Sequence, residues 1–192
     1  MQDATSAFWR RGYAGTSLDD IGAATGMNRP SLYAAFGDKR ALYLAALQRY
    51  VESGRAAIAE GLAGDLPLAR ALSRVYDHAL ALYLPDDDDA RGCFLISTAA
   101  TEAMHDPEVC AMLGAGLRSF DRAFEARLRR ARDEGELPAS ADPAALARIA
   151  SALLHTLALR SRAGDSRASL RATAATGIAL LCGGEPPRRP RR

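Results

Sequence analysis

Apolar residues recur along this chain at intervals of three and four, and they nowhere alternate one by one. Leu42, Tyr43, Ala46, Leu47, Tyr50, Val51 and Ile58 form one such stripe, the spacing of a helix buried on a single face. Leu68, Leu72, Val75, Tyr76, Ala79, Leu80 and Tyr83 repeat the pattern, as do Val109, Leu113, Leu117, Phe120, Phe124 and Leu128. Two more stripes follow. Leu146, Ile149, Ala150, Leu153, Leu154 and Leu157 have a heptad-like repeat, and Leu170, Ala174, Ile178 and Leu181 form the last. Shorter apolar groups precede them: Ala7, Phe8 and Trp9; then Leu18, Ile21 and Ala24; then Leu32, Tyr33 and Phe36. The run from Cys93 to Met104 is almost wholly apolar and predicts a short buried helix. The pattern predicts an all-α chain of about nine helices.

Capping residues divide these stripes. Thr16 and Ser17 offer an N-cap to the second helix, with Asp19 and Asp20 in its first turn where they suit the helix dipole. Gly26 suits the left-handed residue that follows a helix C-terminus. Asn28 is an N-cap for the third helix, Asp38 for the fourth, Asp142 for the eighth and Ser166 for the ninth. Gly61 to Pro67 is a break, and Pro85 to Ala90 (PDDDDA) reads as an acidic loop. The closing GGEPPRRPRR has nothing with which to pack and reads as disordered. The expected organisation is a helix-turn-helix domain over 1–45, a larger helical domain over 46–183, and a tail over 184–192.

Composition narrows the function classes. The net charge is only +2, so any affinity for nucleic acid must come from local placement of charge. No apolar run approaches the roughly 20 residues that span a bilayer, and the N-terminus has no signal-peptide pattern. These features predict a cytoplasmic chain with no membrane partner. Cys93, Cys110 and Cys182 are odd in number and widely spaced, which suits neither a disulfide framework nor a zinc site. No HExxH, GxSxG or P-loop is present. Neither an enzyme, a cofactor nor a metal is expected.

Two short helices joined by a glycine-containing turn fit the helix-turn-helix motif, whose second helix reads the major groove with its N-terminal residues. Here those are Asn28, Arg29, Pro30 and Ser31. Arg29 can donate two hydrogen bonds to a guanine edge, and Asn28 and Ser31 can bond bases or phosphates. Tyr33 and Lys39 would reach phosphates on either side, and Thr16 and Ser17, at a helix N-terminus, another. Pro30 is no obstacle: in the first turn its missing N–H costs nothing and its fixed φ favours the helix.

The segment FWRRGYAGTSLDDIGAATGMNRPSLYAAFGDKRALY, Phe8 to Tyr43, is about a fifth of the chain and strongly resembles the DNA-binding domain of the TetR family of transcriptional regulators. The matching elements are F-W-x-x-G-Y, T-S-L-x-x-I, G-M-x-x-x-S-L-Y and F-G-D-K-x-x-L. The resemblance implies a homodimer on a palindromic double-stranded operator, usually repressing, released by a small ligand in the C-terminal domain. It also implies that Thr16 binds phosphate, that Asn28, Arg29, Pro30 and Ser31 face the bases, and that Tyr33 and Lys39 contact the DNA backbone. Family members commonly carry a basic N-terminal arm and a longer first helix, whereas Met1 stands close before Phe8. A chain with fewer arm contacts would bind its operator less tightly. The alternative reading is a small-molecule-binding helical protein with weakened or lost DNA binding.

In the C-terminal part, helices five to eight are expected to enclose the effector, with Tyr76, Tyr83, Cys93, Phe94, Ser97, Met104, Phe120, Phe124, His155 and Leu159 as candidate lining residues. His155, on an apolar helix, reads first as a core histidine and only second as a ligand contact. The R-G-C-F words at Arg91–Phe94 resemble the start of the sixth helix in one subgroup of the family. Cys93, near that helix start and Arg91, reads either as a reactive thiol sensing electrophiles or oxidants or as a small buried apolar residue. The last two helices are expected to form a four-helix dimer bundle through Leu146, Ile149, Leu153, Leu157, Leu170, Ala174, Ile178 and Leu181. Such a dimer would set two recognition helices in successive major grooves about 34 Å apart.

Overall fold

The computed structural model describes residues 1–85 and 90–184, and the regular structure among them is entirely helical. The order is α1 (Gln2–Arg11), α2 (Leu18–Thr25), α3 (Arg29–Phe36), α4 (Lys39–Leu62), α5 (Leu68–Tyr83), α6 (Ala100–Glu102), α7 (Pro107–Asp133), α8 (Pro143–Arg162) and α9 (Arg167–Leu181). The expected acidic loop falls largely on residues 86–89 and the expected tail on 185–192, both outside the described residues. The single helix expected over Cys93–Met104 is instead a π-helical turn, Leu95–Ala99, running into the short α6. Leu95, Thr98 and Ala99 are all buried on that turn, and the Thr98 hydroxyl donates back to the Phe94 carbonyl at 2.9 Å.

The chain forms two compact units. One holds Met1–Ser53 and Phe94–Gly116, the other Gly54–Cys93 and the chain from Leu117 on. The linear boundary expected at residue 45 is therefore not where compactness divides the molecule. α4 and α7 each run on from one unit into the other, and the segment from Phe94 belongs with the N-terminal helices.

The first unit is built around an aromatic cluster. Phe94 is fully buried, with ring centroids 5.7 Å from Trp9, 6.0 Å from Tyr43 and 5.6 Å from Tyr50. Phe8 meets Tyr43 edge-on at 5.2 Å. Edge-to-face pairs set the positive rim of one ring against the negative face of another, which adds to simple burial. The Tyr43 hydroxyl donates to Thr98 Oγ1 at 2.9 Å, and burial pushes its pKa up to about 12. At the surface, Arg40 donates to both Asp106 oxygens and to Glu108. Asp106 also accepts from the Glu108 and Val109 N–H groups and so starts α7.

In the second unit α5 packs on α8 and α9, which pack on each other. Tyr76 and Phe124 stack at 6.2 Å, and the Tyr76 hydroxyl donates to the Ala150 carbonyl. A side chain at Gly177 would meet Leu153 Cδ2 at 2.4 Å, so the Leu153 side chain packs into the space that this glycine leaves on α9. Arg74 donates to the Glu60, Gly61 and Ala63 carbonyls, satisfying acceptors that the end of α4 leaves open.

Phe94→Ala removes the ring around which Trp9, Tyr43 and Tyr50 pack. Its expected cost is about 3–5 kcal/mol, read by chemical denaturation. A loss below about 1 kcal/mol, smaller than any large core truncation of this kind, would contradict the packing described.

Candidate nucleic-acid interface

The first three helices carry the candidate DNA-contacting residues, and local sequence explains each part. Ser17 starts α2 with a capping box: its hydroxyl accepts from the Asp20 N–H, and the Asp20 carboxylate accepts from the Ser17 N–H. Gly26 ends α2 at φ 70°, a conformation that favours glycine. Gly22 has a second role that the sequence pattern did not reveal. A Cβ there would sit 2.8 Å from the Met27 carbonyl, so its lack of a side chain lets the turn fold against α2.

α3 begins as the sequence implies. Asn28 Oδ1 accepts from the Ser31 N–H at 2.9 Å, and Pro30 sits in the first turn. Leu32 is the one buried residue of α3, while Arg29, Pro30, Ser31, Tyr33, Ala34 and Ala35 are exposed. An eight-residue helix with so little of itself buried leaves most of its side chains open to solvent. Ala34 and Ala35 were not picked out by sequence reasoning; small residues at helical spacing give no signal until their exposure is known.

Arg29 is not idle. Its Nε and Nη2 donate to the two carboxylate oxygens of Asp19 at 2.8 and 2.6 Å. That hydrogen-bonded pair, more than charge alone, holds the Asp19 carboxyl below its usual range. Both side chains are solvent-exposed, and exposed ion pairs contribute little net stability, so a guanine edge or phosphate can replace the carboxylate. Arg11 and Asp20 make a similar pair beside it.

Two expected phosphate contacts are corrected. Thr16 is buried, and its hydroxyl turns inward to donate to Gly12 O at 2.7 Å. The hydroxyl exposed at the start of α2 belongs to Ser17. Lys39 turns inward as well. Its Nζ donates to the Tyr13 and Thr16 carbonyls at 2.9 and 3.0 Å and sits 4.2 Å above the Tyr13 ring. Two of its three protons are thereby used to fix α4 to the turn before α2.

The residues expected to surround an effector are divided between the two units. Phe94, Ser97 and Met104 belong to the first unit and the others to the second. Phe94 is the hub of the aromatic cluster. Met104 and Leu159 are 77% and 54% exposed, too open to line an enclosed pocket. Tyr76, Phe120 and Phe124 are buried core. Cys93 is buried rather than poised at a helix start, and it lies beside the Tyr83 hydroxyl, whose pKa burial raises well above its ordinary value. Burial beside a phenol differs from the exposed, electropositive surroundings of reactive thiols. His155 is held toward its neutral form by burial, with Asp121 opposing, and its Nε2 has no hydrogen-bond partner among the described residues. A cavity of about 430 Å³ in the second unit lies instead against α4 and α7, and none of these candidates lines it.

The dimer stripe also needs correction. Leu157, Leu170, Ala174, Ile178 and Leu181 are buried within the chain itself, so a partner cannot reach them. The apolar surface left outward is Ile149, 61% exposed, Leu180, 63% exposed, and the half-buried Leu146 and Leu153. The alternation within one helix is the reason: i, i+3 and i+4 positions of α8 serve the subunit core, and the next row faces out.

No helix among the described residues is long and apolar enough to cross a membrane. No cluster of His, Cys, Asp and Glu among them has the arrangement of a metal site.

Comparison with known proteins agrees with this architecture. Residues 1–46 match the model for bacterial regulatory proteins of the tetR family, and residues 67–176 match the tetracyclin repressor-like C-terminal domain. The chain is 35% identical over 149 residues to the uncharacterized HTH-type transcriptional regulator YezE of Bacillus subtilis, covering 77% of this chain and 76% of YezE. It is 28% identical to the HTH-type transcriptional repressor ComR of Escherichia coli, over 94% of this chain and 86% of ComR. Among solved structures, a cysteine mutant of the TetR family regulator CifR, complexed with 26-bp double-strand operator DNA, superposes with a TM-score of 0.82. It is 29% identical, with 92% of each chain covered. With matches that span both its N-terminal and C-terminal parts, this chain belongs to the TetR family of transcriptional regulators.

Proposed function

We propose that this regulator is a repressor that binds a palindromic operator as a homodimer, with the start of α3 in the major groove, and that a small molecule releases it. The observation that carries the reading is α3 itself. Its start is fixed by Asn28 and Pro30, and it exposes Arg29, Ser31 and Tyr33 together. Arg29 donates to guanine once Asp19 lets it go, and the Ala34 and Ala35 methyl groups suit contact with thymine methyls. Tyr33 and Ser17 supply hydroxyls for phosphates. The operator-bound CifR structure and the repressor ComR support the same assignment.

Charge sets the expected strength. Residues 1–46 hold five basic side chains (Arg10, Arg11, Arg29, Lys39, Arg40) against four acidic ones (Asp3, Asp19, Asp20, Asp38). Lys39 and Arg40 are already engaged within the first unit. Nonspecific DNA binding by this surface is therefore weak, and recognition depends on groove contacts and on having two copies. The near balance of charge is also the observation behind the alternative reading, a ligand-binding regulator with reduced hold on DNA.

For the dimer, the outward row of α8, Leu146, Ile149 and Leu153, together with Leu180 of α9, offers apolar surface in the C-terminal part. Paired with itself about a two-fold axis, such a row forms a four-helix arrangement.

A salt series on duplex binding tests the whole reading. Affinity for an upstream palindrome is expected to exceed that for random duplex, and log K to fall by about 0.9 per phosphate contact for each unit of log salt. A flat salt response with no sequence preference would favour the alternative. Arg29→Ala is expected to cost about 1–3 kcal/mol on the operator with little loss on random DNA. Asp19→Asn is expected to tighten DNA binding, most at low salt, in the same anisotropy titration. A weakened Asp19→Asn would contradict the exchange of Asp19 for DNA. Sedimentation of Ile149→Asp is expected to show a shift from dimer to monomer, and an unchanged dimer would place the interface elsewhere.

A further inference from the structure

We infer that the arginine-lined cavity between the second half of α4 and the second half of α7 is a binding site for an organic oxyanion, a carboxylate or phosphate carried on a short apolar body. The inference rests on the proposal that a small molecule controls this regulator, and it supplies the chemical class of that molecule.

The lining residues are set by helical spacing. α4 contributes Arg55, Ala59 and Leu62, at intervals of four and three. α7 contributes Ser119, Arg122, Ala123, Ala126, Arg127 and Arg130, one face over three turns. Four guanidinium groups meet around a space of about 430 Å³, and no acidic residue is among those that line it. That volume is in the range of about 300–1,000 Å³ usual for small-molecule sites. The Ala59, Ala123 and Ala126 methyl groups and the Leu62 side chain give it an apolar wall.

The strongest feature is Arg127, whose side chain is only 4% exposed. Its Nη2 donates to the Leu66 carbonyl at 2.9 Å and to Glu136 Oε1 at 2.6 Å. Its Nε and Nη1 have no acceptor among the described residues. A buried guanidinium with unanswered N–H groups is costly. Glu136 is already committed elsewhere: its other oxygen accepts from the Leu68 N–H at 2.5 Å. Arg130 is similar, with Nη2 on the Gly64 carbonyl and a buried Nε that has no hydrogen bond, its nearest carboxylate oxygen, on Glu134, lying 3.7 Å away. Arg55 and Arg122 are exposed at the rim, and among the described residues neither is paired with a carboxylate.

An entering oxyanion would meet positive charge from two helices. Planar guanidinium groups donate in pairs to carboxylate and phosphate oxygens. Rim arginines attract the anion, and a small rotation of the Arg127 fork would bring its unanswered donors to it. The apolar wall selects anions with a hydrocarbon or aromatic body over inorganic ones. Cations are excluded.

The test is calorimetric titration of the full chain at constant ionic strength with octanoate, phenyl phosphate, inorganic phosphate and octylamine. Octanoate or phenyl phosphate is expected to bind saturably, one per chain, and the tighter of the two identifies the headgroup. The double variant Arg55→Gln with Arg122→Gln, both exposed positions, is expected to weaken that binding at least about tenfold, the loss of one charge-assisted contact, while its thermal melt stays unchanged. Octylamine is expected not to bind. Three results would overturn the inference: no saturable binding of either organic anion, inorganic phosphate binding as tightly as phenyl phosphate, or wild-type affinity in a normally folded double variant. Operator binding measured alongside separates the two proposals. Anion binding that leaves the operator complex intact supports the site and contradicts its role in release. Operator release by some other compound, with no anion binding, overturns the site alone.

Discussion

The ammonium group of Lys39 is the constraint on which the proposed DNA-reading surface depends. It is the only lysine in the chain, and its Nζ is held by two main-chain carbonyls and the Tyr13 ring. An ammonium offers three donors on a flexible stem, which lets one residue at the start of α4 gather the turn that launches α2. From that anchor the order of consequences is short. Ser17 caps α2, Gly26 ends it, Gly22 lets the turn close, and Asn28 starts α3 facing outward.

Elsewhere arginine does the work of holding carbonyls and carboxylates. Arg74 gathers the open carbonyls at the end of α4, and Arg40 joins the starts of α4 and α7 through Asp106 and Glu108. Burial of Arg40 slightly opposes its charge, but the two carboxylates dominate. Asp106, hydrogen-bonded by Arg40 and by the first N–H groups of α7, is held down to about pH 2. Its folded pKa lies below the unfolded one, so the contact's contribution is full above the ordinary carboxylate range and is lost as pH falls through about 2. The start of α7 thus keeps its charge throughout the physiological range. In the second halves of α4 and α7, Arg55, Arg122, Arg127 and Arg130 line a cavity instead, and Arg127 and Arg130 keep buried N–H groups without an acceptor among the described residues.

Much of this was legible in the residue pattern. Spacings of three and four gave the helices, and Ser17, Asn28, Asp142 and Ser166 cap where their types predicted. The exposed α3 start follows from Asn28 and Pro30 together. What remained hidden is burial on a helix whose several faces are all apolar. Ile149 and Leu157 look alike in sequence, yet one is exposed and the other has no accessible surface. Thr16 and Ser17 look interchangeable as caps until the Thr16 hydroxyl is seen to point at Gly12. The end of α7 is rich in charge, yet it contains Arg127, which is buried. Charge in a one-dimensional string does not reveal whether another helix lies over it. Cys93 illustrates the same limit, since its nearness to Arg91 in sequence said nothing of the Tyr83 side chain that covers it.

In the proposed function the start of α3 reads base sequence, and two copies read it together. Selection of bound duplexes from a random library, followed by sequencing, tests this most directly. The predicted result is a palindrome whose half-sites lie about 10 base pairs apart or a multiple of that, with a guanine in each half-site that ceases to be selected when Arg29 is replaced by alanine. Enrichment of no common sequence, or of a sequence indifferent to Arg29, would contradict it.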